Sequence, residues 1–195
     1  MFSCSDAKRI GTLAGQWADR ARKHSDRRQD GHIRRWSGRR RYKFGYAESN
    51  ENLIPYGLLK HVHMPEIAST IERLSGGSAD GLVFTPHLIP MTRGILVTIY
   101  CRGQATTAQC LDAARRFYAD RAFVRVTDRP PQTKWATGSN LSFISYAADP
   151  ERNLVIAMGV VDNLGKGAAG QAVQNANLIC GLPESTGLDG APFWP

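Results

Sequence analysis

Residues 153–181, NLVIAMGVVDNLGKGAAGQAVQNANLICG, decide more than any other stretch what this chain can build. Leu154, Val155, Ile156, Ala157, Met158, Val160 and Val161 form a near-continuous apolar run rich in β-branched residues, the pattern of a strand buried on both faces. After Asp162 and Asn163 come Gly165, Gly167 and Gly170. They open a segment whose apolar residues Ala169, Ala172, Val173, Ala176, Ile179 and Cys180 recur at helical spacing, the packing face of a helix. A strand, a glycine turn and a helix start aim backbone N–H groups at an anion, with Lys166 beside them. Glycines and alanines in the same places equally let a helix pack closely.

The turn spells G-x-G-x-x-G, yet a dinucleotide fold needs a second strand ending in an acidic residue about 20 residues on. Only 14 residues follow Gly181, and they hold Pro183, Pro192 and Pro195, so a Rossmann unit is not expected here. A Walker loop fails as well: five residues separate Gly159 from Gly165 where the loop has four, and Gly167 stands where a magnesium-binding Ser or Thr belongs.

With 195 residues the chain can bury a core as one domain, or one domain and an extension. No apolar run reaches membrane-spanning length and the N-terminus has no signal-peptide stretch, so a soluble, cytoplasmic protein is expected. Cys4, Cys101, Cys110 and Cys180 have neither CxxC spacing nor a matching His pattern, which argues against zinc and against a disulfide framework. Cys101 ends an apolar run and Cys180 sits on the apolar side of a helix, so both are expected in the core.

The net charge of +8 suggests nucleic acid until it is located: residues 1–43 hold 13 Lys+Arg against 4 Asp+Glu, leaving 12 basic and 13 acidic residues in the rest. The basic segment has few core-forming residues and is expected to be poorly ordered. It reads as a nucleic-acid arm, as a solvated extension, or as the product of a shifted reading frame, since Arg and Trp codons rich in GG become Gly codons when shifted.

Along the remainder, residues 46–63 lead from a polar cluster into an extended run. A helix starts at Met64, with Pro65 and Glu66 in its first turn and Gly76 and Gly77 at its end. Residues 81–89 and 94–101 read as strands around a tight turn. Residues 106–121 read as an amphipathic helix with Cys110, Ala113, Ala114 and Phe117 on one face, and 122–127 as a short alternating strand. A loop over 130–140, a strand over 141–149 and the opening strand and helix complete the order β, α, β, β, α, β, loop, β, β, α. That order predicts an α+β fold with a mixed, largely antiparallel sheet and helices on one face. His61 and His63 share a strand face with Glu66 close by, but no third ligand is apparent and no metal site is expected.

The segments KHVHMPEI (60–67), FTPHLIPMTRGI (84–95), ATGSN (136–140), DNLGKGAAGQAVQNANLICGLPESTGL (162–188) and the final aromatic-Pro resemble the C-terminal part of the N-acetyl-γ-glutamyl-phosphate reductases, in the aspartate-semialdehyde-dehydrogenase-like superfamily. The resemblance runs from about Glu48 to Pro195. It implies an NADP-dependent oxidoreductase of arginine biosynthesis that reduces an acyl phosphate to a semialdehyde: a cysteine thiolate displaces phosphate, and hydride reduces the thioester. It also implies a catalytic and dimerisation domain at 44–195, a homo-oligomer, and a 162–181 segment that packs on a cofactor domain.

By the same resemblance His61 is the acid/base histidine, Tyr56, Glu66 and Arg93 belong to the substrate site, and Asn163, Lys166, Gly167 and Gly170 lie towards the cofactor. The family's Rossmann domain and its Gly-Cys-Tyr-Pro nucleophile turn have no counterpart in this sequence. RRWSGRRR stands where a glycine-rich family segment belongs. This chain is therefore expected to be inactive alone. The alternative is a non-catalytic, oligomerising α+β module with an arginine-rich nucleic-acid arm.

Overall fold

The computed structural model describes residues 49–193. The basic segment 1–43, with its reading-frame and nucleic-acid readings, lies outside them. The chain divides into two compact units between Pro90 and Met91.

In the first unit the two-residue strand β1 (Ile54–Pro55) pairs antiparallel with β2 (His87–Leu88), matching Ile54 to Leu88 and Pro55 to His87. Helix α1 (Met64–Ser75) lies between them in sequence, with Pro65 in its first turn and Gly76 closing it in the left-handed region at φ 69°. The sequence implied longer extended runs over 46–63 and 81–89. Pro55 and Pro86 have no N–H to give a ladder, and the glycine at 57 and the leucine at 59 turn the chain at positive φ, so pairing stops after two residues. No residue of α1 is buried, and Ile71 and Leu74 are exposed.

The second unit is a four-stranded sheet. Strand β3 (Ile95–Arg102) pairs antiparallel with β6 (Leu154–Val161), β6 pairs antiparallel with β5 (Ser142–Asp149), and β5 runs parallel to the short β4 (Val124–Val126). The order β3-β6-β5-β4 is the mixed, largely antiparallel sheet implied by the sequence, and the strands and helices follow in the expected sequence. Helix α2 (Thr107–Phe117) starts with a reciprocal cap: the Gln109 N–H donates to the Thr106 hydroxyl at 3.3 Å, and the Thr106 N–H donates to Gln109 Oε1 at 2.8 Å. Leu111 and Ala114 are its buried residues. The face expected from Cys110, Ala113, Ala114 and Phe117 is thus rotated: Leu111, the largest aliphatic side chain in the helix, takes the inner position, and Phe117 is 66% exposed. Helix α2 packs on β5, where the Ala148 N–H donates to the Thr107 hydroxyl at 2.9 Å, and burial raises the Tyr146 hydroxyl above its ordinary pKa, with Tyr118, Cys110 and Cys101 adding to the effect.

Strand β6 occupies the middle of the sheet, as its apolar run implied, but only Val160 is fully buried and the rest is half-buried. All eight residues of the neighbouring edge strand β3 are exposed. Cys101 is exposed on this strand, and Cys180 is exposed at the end of the last helix, so the core position expected for both is corrected. Cys101 lies on an edge strand that is exposed on both faces along its whole length, and Cys180 follows the outward side of the last helix.

The last helix is α3 (Gly170–Ile179), entered through a π-helical turn over Gly165–Ala169. Its buried residues are Gly170, Gln174 and Asn177, while Ala172, Val173, Ala176 and Ile179 face solvent. The packing face inferred from the apolar spacing is therefore the outer one. The polar face is needed inside, where Gln174 Nε2 donates to Glu184 Oε2 at 2.8 Å and Asn177 Nδ2 donates to the carbonyls of Glu184 and Thr186 at 3.2 and 2.9 Å. These bonds tie the following segment to the helix.

Candidate substrate cavity at one end of the sheet

Strand register brings three loops together. Ile95 opens β3 opposite Val161, which closes β6, and Val161 lies opposite Ser142, which opens β5. The residues just outside these positions, 91–94, 162–170 and 138–141, must therefore meet at one edge of the sheet. They meet around Asp162, which is fully buried.

The Asp162 carboxylate accepts the N–H of Gly138 at 2.6 Å through Oδ2, and the N–H groups of Leu164 and Gly165 at 2.8 and 3.0 Å through Oδ1. Arg93 Nε lies 3.4 Å from Oδ2 as an ion pair. Burial pushes this carboxyl up, but the three N–H donors and the Arg93 charge outweigh it and hold the pKa below the usual carboxylate value. Beside it, Asn163 Oδ1 accepts the N–H of Gly94 at 2.8 Å and its Nδ2 donates to the Thr92 carbonyl at 3.4 Å. Asn163 thus acts as a clamp on the turn that carries Arg93.

The glycine turn has a packing reason. A Cβ at Gly165 would stand 2.5 Å from the Ser139 carbonyl oxygen, and one at Gly170 would stand 2.3 Å from Asn140 Oδ1. The wide π-helical turn, with the Gly167 N–H donating to the Asp162 carbonyl at 2.8 Å, lets the loop at 138–140 press against the helix start.

These loops and the chain end enclose a cavity of about 280 Å³, lined among others by Arg93, Asn140, Leu164, Gly170, Leu188 and Phe193. Phe193 is held there by its N–H, which donates to the Thr137 carbonyl at 2.8 Å. Asn140 is 4% exposed, donates through Nδ2 to Gln174 Oε1 at 3.4 Å, and leaves Oδ1 without a partner. Arg93, 38% exposed, is the cation on the wall.

Of the residues singled out in the sequence, Arg93 and Gly170 line this cavity, while Asn163, Lys166 and Gly167 do not. Lys166 Nζ donates to Gln174 Oε1 and lies 5.3 Å from the centre of the Phe123 ring. Burial pulls the pKa of this ammonium down, and Glu184 partly offsets the effect.

His61, Tyr56 and Glu66 are in the first unit. The His63 backbone N–H donates to His61 Nδ1 at 3.3 Å, which leaves the proton of the neutral ring on Nε2. The His61 ring meets Tyr56 edge-on at 5.5 Å, Phe84 at 5.1 Å and His63 at 4.9 Å, and Glu66 is exposed in the first turn of α1. Among the described residues no cluster of His, Cys, Asp or Glu could hold a metal ion, and no helix is long and apolar enough to cross a membrane.

Sequence reasoning gave no role to Asp162 or Asn140. The signal for Asp162 was a charged residue directly at the end of a central apolar strand, where only a dense set of donors makes burial tolerable. Asn140 carried no comparable signal.

Asp162 also sets an acid limit. Its folded pKa is lowered, so its contribution to stability is complete above the unfolded value of about 3.9 and is lost as pH falls through the folded pKa. The thermal midpoint is expected to drop as pH falls below about 5 and to keep falling through the lowered folded pKa. Asp162→Asn is expected to lose about 3 kcal/mol at neutral pH, because it sets an amide N–H against buried donors, and to show a shallower acid slope. Equal slopes in melts of the two proteins would contradict this.

A sequence model of the family described as semialdehyde dehydrogenase, dimerisation domain, matches residues 37–163. The N-acetyl-gamma-glutamyl-phosphate reductase of Methylobacterium sp. (strain 4-46) is 86% identical over 153 residues, which is 78% of this chain and 47% of that protein. The protein of the same name from Heliobacterium modesticaldum is 44% identical over 158 residues, covering 77% of this chain and 45% of the relative. The match covers the C-terminal part of this chain, which spans about half the length of these relatives. The crystal structure of aspartate semialdehyde dehydrogenase II complexed with ASA from Vibrio cholerae superposes with a TM-score of 0.50 at 18% identity, covering 67% of this chain and 41% of the other, a likeness of fold alone. With the fold, the register-built cavity and a family match over most of its length in agreement, the chain belongs to the semialdehyde dehydrogenase dimerisation-domain family.

Proposed function

We propose that residues 44–195 form the acid/base, substrate-holding and oligomerising half of an N-acetyl-γ-glutamyl-phosphate reductase. In that enzyme N-acetyl-glutamyl 5-phosphate is reduced to N-acetyl-glutamate 5-semialdehyde in arginine biosynthesis. The observation that carries the reading is the 86% identity to a relative bearing that name, held over 153 residues. At such identity the residues of this half do in both proteins what their chemistry allows.

His61 is the acid/base: in the tautomer fixed by the His63 N–H, Nε2–H is the group that donates to a developing aldehyde oxygen, and taking a proton from a thiol requires the other tautomer, in which Nδ1 carries the hydrogen and Nε2 the lone pair. Tyr56 and Glu66 belong to its neighbourhood, and Arg93 supplies a fixed cation for an anionic substrate. NADPH, when bound, would supply the hydride and leave as NADP+. The cavity of about 280 Å³ lies at the small end of the ~300–1,000 Å³ usual for drug-sized ligands. The cofactor is held mainly by the domain that joins this one, and Asn163, Lys166, Gly167 and Gly170 serve it from the segment 162–181. The exposed apolar face of α3, Ala172, Val173, Ala176 and Ile179, is the surface that packs on that domain.

The reading is tested by supplying the N-terminal half of the Methylobacterium reductase as a separate chain. Reduction of the acyl phosphate is expected in the mixture; two folded, associated halves without turnover would overturn the proposal.

The same half is expected to self-associate. With α2 over the face carrying Tyr146, the opposite face presents Leu96 and Tyr100, 55% and 71% exposed, beside Met158 and Ile156 of β6. Sedimentation should show a dimer or larger at micromolar concentration, and Leu96→Glu with Tyr100→Glu should shift it to monomer. A well-folded monomer of the unaltered protein would count against this face as an interface.

A further inference from the structure

We infer that Asp162 is a positioning residue that acts through Arg93: its buried carboxylate fixes the Nε side of the guanidinium, so that the remaining nitrogens are presented to an anion in the cavity. The inference rests on the reading of Arg93 as the anion-holding cation. Three observations carry it. Arg93 Nε is buried and has no hydrogen-bond partner, its neighbour being Asp162 Oδ2 at 3.4 Å. The same Oδ2 accepts the Gly138 N–H at 2.6 Å, and Oδ1 is committed to Leu164 and Gly165, so the carboxylate cannot turn without breaking bonds in two other loops. Those two loops, with Arg93 itself, are walls of the cavity.

A guanidinium on a flexible stem loses rotamer freedom when it grips an anion. A carboxylate anchored from both oxygens removes that freedom before the anion arrives. Asp162 therefore raises the affinity of Arg93 for an anion even though its own charge is negative, because preorganisation is set against Coulomb repulsion that the three N–H donors already reduce. A role confined to stability would leave anion affinity unchanged.

The test uses the whole 195-residue chain, inorganic phosphate as the probe, and four proteins: unaltered, Asp162→Asn, Arg93→Met and the double variant. Asp162→Asn is expected to weaken phosphate binding about tenfold when Arg93 is present and less than about twofold in the Arg93→Met background, the signature of coupling between neighbours. An unchanged affinity in folded Asp162→Asn, or an equal loss in both backgrounds, would overturn the inference and leave the Arg93 reading standing.

Should Asp162→Asn fail to fold, the unaltered chain decides by NMR. The Arg93 Nε–H, assigned by its loss in Arg93→Met, is expected to exchange with water much more slowly than that of the exposed Arg102. Exchange as fast as at Arg102 would overturn the clamp. No phosphate binding by the unaltered chain, with the Nε–H protected, would overturn the anion-holding role and the inference that depends on it.

Discussion

Supplied with NADPH and N-acetyl-glutamyl 5-phosphate, the 195-residue chain alone is expected to show no turnover. The chemistry requires a thiolate to displace phosphate and hold the acyl group as a thioester, and an acid/base group cannot replace that covalent step. Cys101 is exposed on the edge strand β3, Cys110 is half-buried on α2 and Cys180 is exposed beyond α3; none of the three lines the cavity. Cys4 lies outside the described residues, and none of the four has the Gly-Cys-Tyr-Pro-like context of the family's nucleophile. The check is the consumption of NADPH with and without the acyl phosphate. Turnover that survives replacement of all four cysteines by serine would sink the thioester mechanism, and turnover lost with one of them would identify a nucleophile in this half.

Much of the architecture was legible because it rests on local signals. The near-continuous apolar run at 154–161 is the central strand, Pro65 and Gly76 bound α1, and the Thr106 and Gln109 pair begins α2. The errors arose where a residue's surroundings are set by something distant in sequence. Apolar spacing in α3 marked a stripe of residues but could not say which side of the helix was inward. Gln174 and Asn177 are drawn inside by the carbonyls and carboxylate of 184–186, and Val173 and Ile179 are left outside. Cys101 and Cys180 were misplaced for the same reason.

The candidate site divides along the same line. Arg93 was singled out from a turn motif and a resemblance, and the structure places it on the cavity wall beside Asp162. Asp162 was passed over because its partners come from Arg93, 69 residues before it, and Gly138, 24 residues before it, separations at which no periodicity connects residues. The glycine turn shows the reverse situation. G-x-G-x-x-G drew attention as a phosphate cradle, while the close approach of Ser139 and Asn140 accounts for Gly165 and Gly170 without any ligand.

The central claim is that this chain carries the proton-handling half of an acyl-phosphate reductase. Residues 44–195 joined behind the N-terminal half of the Methylobacterium reductase should give a protein that reduces the acyl phosphate. In that protein His61→Asn should lower kcat by roughly 10²–10⁴-fold, the usual effect of removing a positioned acid/base. Asn keeps a polar group near the place of Nδ1 to meet the His63 N–H, so a large loss with unchanged thermal midpoint isolates proton transfer from folding. The measurement is therefore kcat of the joined protein with His61 and with Asn at that position. A fall of at least about a hundredfold is the result expected; a folded joined protein without activity, or one whose kcat is unaffected by the substitution, would contradict the account.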